Sequence, residues 1–246
     1  MFELFLPFFL LVLFFLVLFI IWRINARKYV SSGTVASAYD AWTQDKLLER
    51  LWGEHIHLGF YPSGKKNIDF REAKVQFVHE LVKWSGLDKL PQGSRILDVG
   101  CGIGGSSRIL AKYYGFNVPG ITISPAQVKR ARELTHDGLN CNFQVMDALD
   151  LKFEDGSFDA VWSVEAGAHM NDKNRFADEM LRTLRPGGYL ALADWNSRDL
   201  EAHPPSFFEK LVLKQLLEQW VHPNFISINE FSTILRTNKN LSLIHI

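Results

Sequence analysis

The chain has 246 residues, 27 basic and 27 acidic side chains, a formal net charge of zero and two cysteines. Balanced charge with no basic stripe gives no reason to expect nucleic acid, and two cysteines in a chain this long make no disulfide framework. Hydrophobic residues are 47% of the total, a figure inflated by the first 28; the remainder, roughly 220 residues, suits one domain.

Leu4 to Trp22 is unbroken by charge and is followed by Arg23, Arg27 and Lys28. Roughly 20 apolar residues span a hydrocarbon core, so residues 1–28 are expected to form a transmembrane anchor. A cleaved signal peptide fits less well, because its apolar run is roughly 7 to 15 residues and follows a basic residue. Basic residues after the span place the rest of the chain on the cytoplasmic or equivalent face of an inner membrane.

Residues 29–90 read as a helical lid segment, with an amphipathic stretch from Arg71 to Trp84. Within it, His55 and His57 are two apart on an extended run, but with no third His or Cys at ligand spacing they make no zinc site.

Residues 91–200 alternate strands and helices. The expected strands are 94–99, 117–123, 141–146, 158–164 and 189–195. Helices are expected from Ser106 to Tyr114, from Pro125, and over the Phe176, Met180, Leu181, Leu184 spacing, which Pro186-Gly187-Gly188 should stop. Repeated βα units imply an α/β, Rossmann-like fold, a parallel sheet with helices on both faces.

The most informative run is Arg95-Ile-Leu-Asp-Val-Gly-Cys-Gly-Ile-Gly-Gly-Ser-Ser107, a strand that enters four glycines before a helix. Without Cβ atoms, backbone can lie against a small molecule at the helix mouth. A plain tight turn would not need four glycines. Gly100, Gly102 and Gly105 satisfy the dinucleotide pattern G-x-G-x-x-G, but such a site wants an acid roughly 20 residues on, where Gly120-Ile-Thr-Ile-Ser124 offers hydroxyls. Asp98, Gly100, Gly102 and Gly104 also match the opening of an S-adenosylmethionine site.

Residues 201–246 hold an amphipathic stretch, Phe207 to Trp220, a helix over 228–236, and at most one short strand over 238–246. The last strands of such a sheet are not found there, so this is expected to be a partial substrate-side region.

Four blocks carry a resemblance to a known family: Leu97 to Arg108, Gly120 to Gln127, Asp147 with Phe153 to Asp159, and Trp162-Ser-Val-Glu-Ala-Gly-Ala-His-Met170. They resemble the tocopherol and methyl-phytyl-benzoquinol methyltransferases of photosynthetic organisms, within the S-adenosylmethionine-dependent class I enzymes. The resemblance implies S-adenosylmethionine as cofactor, with Asp98, Gly100, Cys101, Gly102, Gly104 and Gly105 around its methionine moiety. It implies Thr122, Ile123 and Gln127 at the ribose, where most of the class have an acid, and Asp147 with Ala148 at the adenine. For Asp147 a helix N-cap is the alternative. The resemblance also implies an aromatic lid over the cofactor, to which Trp52, Tyr61 and Tyr39 could contribute; a helix packed on the sheet is the alternative.

Chemistry is expected at the end of the fourth strand, at Glu165 and His169. Ionising a hydroquinone makes the neighbouring ring carbon nucleophilic, and a His near neutrality, with Glu165, could take the proton. The alternative is that both residues only tie down a loop. The implied function is a membrane-tethered C-methyltransferase acting on a lipophilic quinol or tocopherol. Another lipid acceptor, such as a sterol or an unsaturated acyl chain, and a non-catalytic S-adenosylmethionine-binding fragment are the alternatives.

Overall fold

A computed structural model of the protein describes residues 2–25, 28–63 and 67–237. Five strands, β1 (Ile96–Val99), β2 (Val118–Thr122), β3 (Cys141–Val145), β4 (Phe158–Val164) and β5 (Leu184–Ala193), form one parallel sheet in the order β3-β2-β1-β4-β5. The chain builds outward from β1 in one direction, then returns to β4 and builds in the other. The order therefore reverses between β1 and β4, and in open parallel sheets that reversal leaves a crevice at the strands' carboxyl ends.

Helices cover both faces. On one, α4 (Phe70–Ser85) and α5 (Gly105–Tyr114) bring Val78, Val82 and Leu110 onto Ile96, Ala160 and Trp162. On the other, α7 (Lys173–Thr183) and α9 (Ile228–Thr237) pack Phe176, Met180 and Phe231 onto Leu97 and Val99. β1 alternates between the two cores, as strand geometry demands, so Asp98 shares the face of Ile96. Phe176 is fully buried, and truncating such a side chain to Ala costs about 3 to 5 kcal/mol.

The N-terminal region contributes α2 (Ser32–Gln44) and α3 (Leu47–Trp52). α6 (Pro125–Leu134) starts with Ser124 as N-cap and Pro125 in the first turn, where a missing N–H costs nothing. Asp40 of α2 accepts from Ser124 Oγ at 2.5 Å and from the Ala126 amide at 3.0 Å. That clamp fixes α2 over the end of β2. α8 (Phe207–Trp220) lies between β5 and α9.

Two sequence expectations change, and one is untested. The apolar N-terminus does form a helix, α1 (Phe2–Asn25). However, among the described residues no helix is long and apolar enough to cross a membrane. Pro186-Gly187-Gly188 does not separate helix from strand; pairing with β4 carries β5 back to Leu184, with a register shift between Phe158 and Ala160. The strand expected over 238–246 lies outside the described residues, as do Arg27 and the side chain of Arg23.

Candidate active site

A cavity of about 320 Å³ opens at the carboxyl ends of β1, β2 and β4. Asp98, Gly100, Cys101, Gly102, Gly105, Thr122, Ile123, Gln127, Glu165 and His169 all line it. The structure brings these ten residues together at the β1/β4 reversal, where a ligand crevice belongs.

The glycines divide by what they face. A Cβ on Gly100, at φ +79°, would overlap the Ala166 side chain, and one on Gly105 would overlap the Glu54 carbonyl. On Gly104, at φ +81°, it would fall 2.6 Å from the Phe143 ring, and Gly104 does not line the cavity. These three let protein approach protein. Gly102, at φ +56°, has Gln127 Nε2 at 4.0 Å as its nearest neighbour; its bare backbone fronts open cavity.

Asp98 is buried and accepts from Ser107 Oγ at 2.5 Å. Burial pushes its carboxyl up to about 7, only partly offset by the Ser107 hydroxyl. Thr122 Oγ1 donates to Gln127 Oε1 at 2.6 Å, so two neutral side chains stand together where an acid is commonly found. Burial also raises the Cys101 thiol well above its ordinary value, which leaves it a protonated wall and no nucleophile.

Asp147 and Ala148 depart from expectation, because neither lines the cavity. Asp147 Oδ1 accepts from the Leu149 amide at 2.9 Å, holding the turn after β3, while Ala148 packs into the core beneath the sheet.

A strap from Trp52 to Leu58 crosses the cavity. Arg108 donates to Glu54 at 2.6 Å, Lys74 Nζ to the Trp52 and His55 carbonyls at 2.9 Å each, and the Leu58 amide to Glu165 Oε1 at 2.9 Å. His55 Nδ1 and His57 Nε2 pair at 3.2 Å. Burial holds these two imidazoles at about 3 and about 4, neutral at pH 7. No cluster of three or more metal-ligating side chains occurs among the described residues. Trp52 and Tyr39 line the cavity, whereas Tyr61 is exposed and does not.

At the acceptor end, Glu165 has φ +53°, a left-handed conformation that is uncommon for a residue with a side chain. Burial raises its carboxyl, opposed by the Leu58 amide and the Trp195 side chain. Tyr39 Oη and His169 Nε2 are 2.9 Å apart, and the His222 ring stacks on His169 at 4.2 Å between centroids. Burial holds His169 at about 3 and raises the Tyr39 hydroxyl. His169 sits on a short turn propped by Asp194, which accepts from the Ala168 amide at 3.0 Å, and by Lys173, which donates to the Gly167 carbonyl. The sequence did not flag His222, Trp195, Trp220 or Trp162 as lining residues; all four reach the cavity. The aromatic density of Trp220-Val221-His222 was the available signal.

Three features fit S-adenosylmethionine. Gly102 leaves a cradle that a Cβ would fill. Trp162, which lines the cavity, keeps its indole N–H buried without an acceptor, a cost of about 1–3 kcal/mol that a bound acceptor atom would remove. Asp98 is a buried acid whose anion lacks a cation, and the cofactor brings an ammonium and a sulfonium.

Sheet order, glycine turn and cavity together define a class I S-adenosylmethionine-dependent methyltransferase. Residues 97–192 match the methyltransferase domain family. The chain is 58% identical over 212 residues to the 2-methyl-6-phytyl-1,4-hydroquinone methyltransferase of Synechocystis, covering 86% of this chain and 67% of that protein. It is 37% identical over 204 residues to the chloroplastic tocopherol O-methyltransferase of Arabidopsis thaliana, covering 78% and 59%. The chain belongs to this family of phytyl-hydroquinone and tocopherol methyltransferases, and it spans about two thirds of the cyanobacterial relative and less of the plant one. Among solved structures, geranyl diphosphate C-methyltransferase from Streptomyces coelicolor shares the fold at TM-score 0.66 and 22% identity, over 85% of this chain and 78% of that one. The cyclase SpnF shares it at TM-score 0.70 and 24%, over 86% and 73%. Since one of these is a cyclase, the fold alone does not name the reaction.

Proposed function

We propose that the protein transfers a methyl group from S-adenosylmethionine to a ring carbon of a prenylated hydroquinone or tocopherol at a membrane surface. The observation that carries this is the pairing of a cofactor cradle at Gly102 and Asp98 with an aromatic acceptor end, walled by Tyr39, Trp195, Trp220 and His222 around the Glu165 carboxylate.

When bound, the cofactor supplies an electrophilic methyl at a sulfonium. The chain's residues do the rest. The strap excludes water, and the aromatic wall holds a flat ring in line with that methyl, where alignment supplies most of the rate. Loss of the hydroxyl proton lets the ring carbon take the methyl, and that carbon's own proton then returns to the ring oxygen, so one proton leaves overall. Glu165 is the better acceptor for the proton that leaves the acceptor's hydroxyl, because burial raises its affinity for protons. His169, held at about 3, is a weak base; with Tyr39 it orients the acceptor hydroxyl instead. The sequence reading, which favoured His169 as base, is revised accordingly.

The exposed apolar side chains of α1, from Phe8 to Ile20, support seating on a membrane, where a phytylated acceptor partitions and tethering raises encounter. Seating on the cytoplasmic or stromal face of a thylakoid or inner membrane agrees with a Synechocystis relative and with one named as chloroplastic.

The test is turnover by the full chain in vesicles with methyl-labelled cofactor, offered a phytyl hydroquinone, a tocopherol, a sterol and an unsaturated acyl lipid. Product NMR would separate a ring methyl from a methyl ether. Label in the ring of the first two alone is the expected result; label in the sterol or acyl chain, or none, would overturn the assignment.

A further inference from the structure

α8 presents apolar side chains on two sides, with Glu209, Lys210, Lys214, Gln215, Glu218 and Gln219 between them. Its inner side puts Leu216 and Trp220 on the cavity. Phe207, Phe208, Leu211 and Val212 turn outward, with Phe207 and Phe208 76% and 75% exposed and Val212 67%. At 3.6 residues per turn these four occupy one arc of about 140°. An exposed apolar patch of this kind marks an interaction surface.

Two observations say what it meets. Lys210 and Lys214 flank the arc, and Lys28 joins them in a shallow groove that His222 also reaches. An apolar arc with a lysine rim fits acyl chains beneath anionic headgroups. In the chain, Lys28 also follows shortly after α1, whose side chains from Phe8 to Ile20 are exposed. His222 lines both this groove and the cavity.

We propose that α8 is an interfacial helix lying in the surface of an anionic lipid bilayer, and that a prenylated acceptor enters the cavity from the membrane plane beside Trp220. The inference rests on the reading of the acceptor as a membrane lipid. The ring is drawn in past Leu216 and Trp220 while the tail stays in the bilayer, so tail length is read by the membrane and not by the protein.

The test uses the full chain in a Cys141→Ser background, with an environment-sensitive fluorophore on Val212→Cys and, as control, on Asp137→Cys in the turn after α6. With phosphatidylcholine vesicles containing phosphatidylglycerol, the Val212 probe is expected to shift to the blue and to be quenched by acyl-chain spin labels, and the Asp137 probe is not. K210Q and K214Q should each weaken partitioning by about fivefold, the effect of roughly one surface charge. F207E/F208E should abolish probe insertion and turnover of vesicle-borne acceptor, while S-adenosylhomocysteine affinity stays at the unsubstituted value. A Val212 probe that remains aqueous on vesicle-bound protein would overturn the proposal, as would a shift that follows protein concentration without lipid, which would mean a second copy covers α8. Insertion is read without turnover: an α8 that inserts in a chain that methylates no hydroquinone keeps this inference and removes the acceptor assignment.

Discussion

The Leu58 amide donates to Glu165 Oε1 at 2.9 Å, joining residues 107 apart in sequence across the mouth of the cavity. Glu165 thereby has two duties. It holds the strap closed over the cofactor cradle, and from its left-handed backbone it presents a carboxylate to the acceptor end.

Glu165→Gln separates these duties. The amide oxygen still accepts from Leu58, so S-adenosylhomocysteine affinity should hold, while kcat falls about a hundredfold or more through loss of the proton acceptor. Glu165→Ala should lose both kcat and cofactor affinity. Calorimetry beside steady-state kinetics reads the split, and equal losses in both variants would leave Glu165 with the strap alone.

Cofactor binding should depend on pH through Asp98. Its carboxyl stands near 7 in the free protein, and a ligand ammonium favours the ionised form, so binding expels a proton below that pH. Affinity for S-adenosylhomocysteine is expected to be flat above pH 7 and to fall about tenfold per unit beneath it. Asp98→Asn should bind weakly with no such slope. Calorimetry across pH checks both.

Much of this was legible in the sequence because apolar runs ending in Asp, Gly or Ser mark strands whose ends point at a ligand. Asp98, the glycines, Thr122 and Gln127 lie next to one another along the chain, so motif spacing located them. The acceptor wall was not local. Tyr39 meets His169 only because Asp40 clamps α2 to α6, and His222 reaches His169 only through the fold of the segment after α8. Asp147 was misplaced because a strand-end acid serves a turn as readily as a ligand. β5 ran through Pro186-Gly187-Gly188 because pairing with β4 outweighed local turn chemistry.

Gly102→Ala and Gly100→Ala should differ in kind. The first has open space and meets only left-handed strain of about 1–2 kcal/mol, so the protein should fold but bind S-adenosylhomocysteine at least tenfold more weakly. The second overlaps the Ala166 side chain and should lower the melting midpoint. Thermal melts with and without ligand distinguish them.

Buried histidines should make the protein acid-sensitive. His169, held at about 3 against about 6.5 unfolded, contributes stability that is present above pH 6.5 and lost on descent towards 3. Asp98 and Asp194, both raised to about 7, act oppositely: their contribution is full at low pH and is lost as pH rises through 7. His169→Gln isolates the histidine. Between pH 7 and 5 the unsubstituted chain should lose up to about 2 kcal/mol more than this variant, read by denaturant titration at each pH.

The most direct test of the methyltransferase reading is calorimetric titration of the full chain with S-adenosylhomocysteine, with Asp98→Ala alongside. The structure leads to one site of micromolar affinity that Asp98→Ala removes without unfolding the protein. No binding by a demonstrably folded chain, or equal binding by Asp98→Ala, would contradict the placement of the cofactor between Gly102 and Asp98.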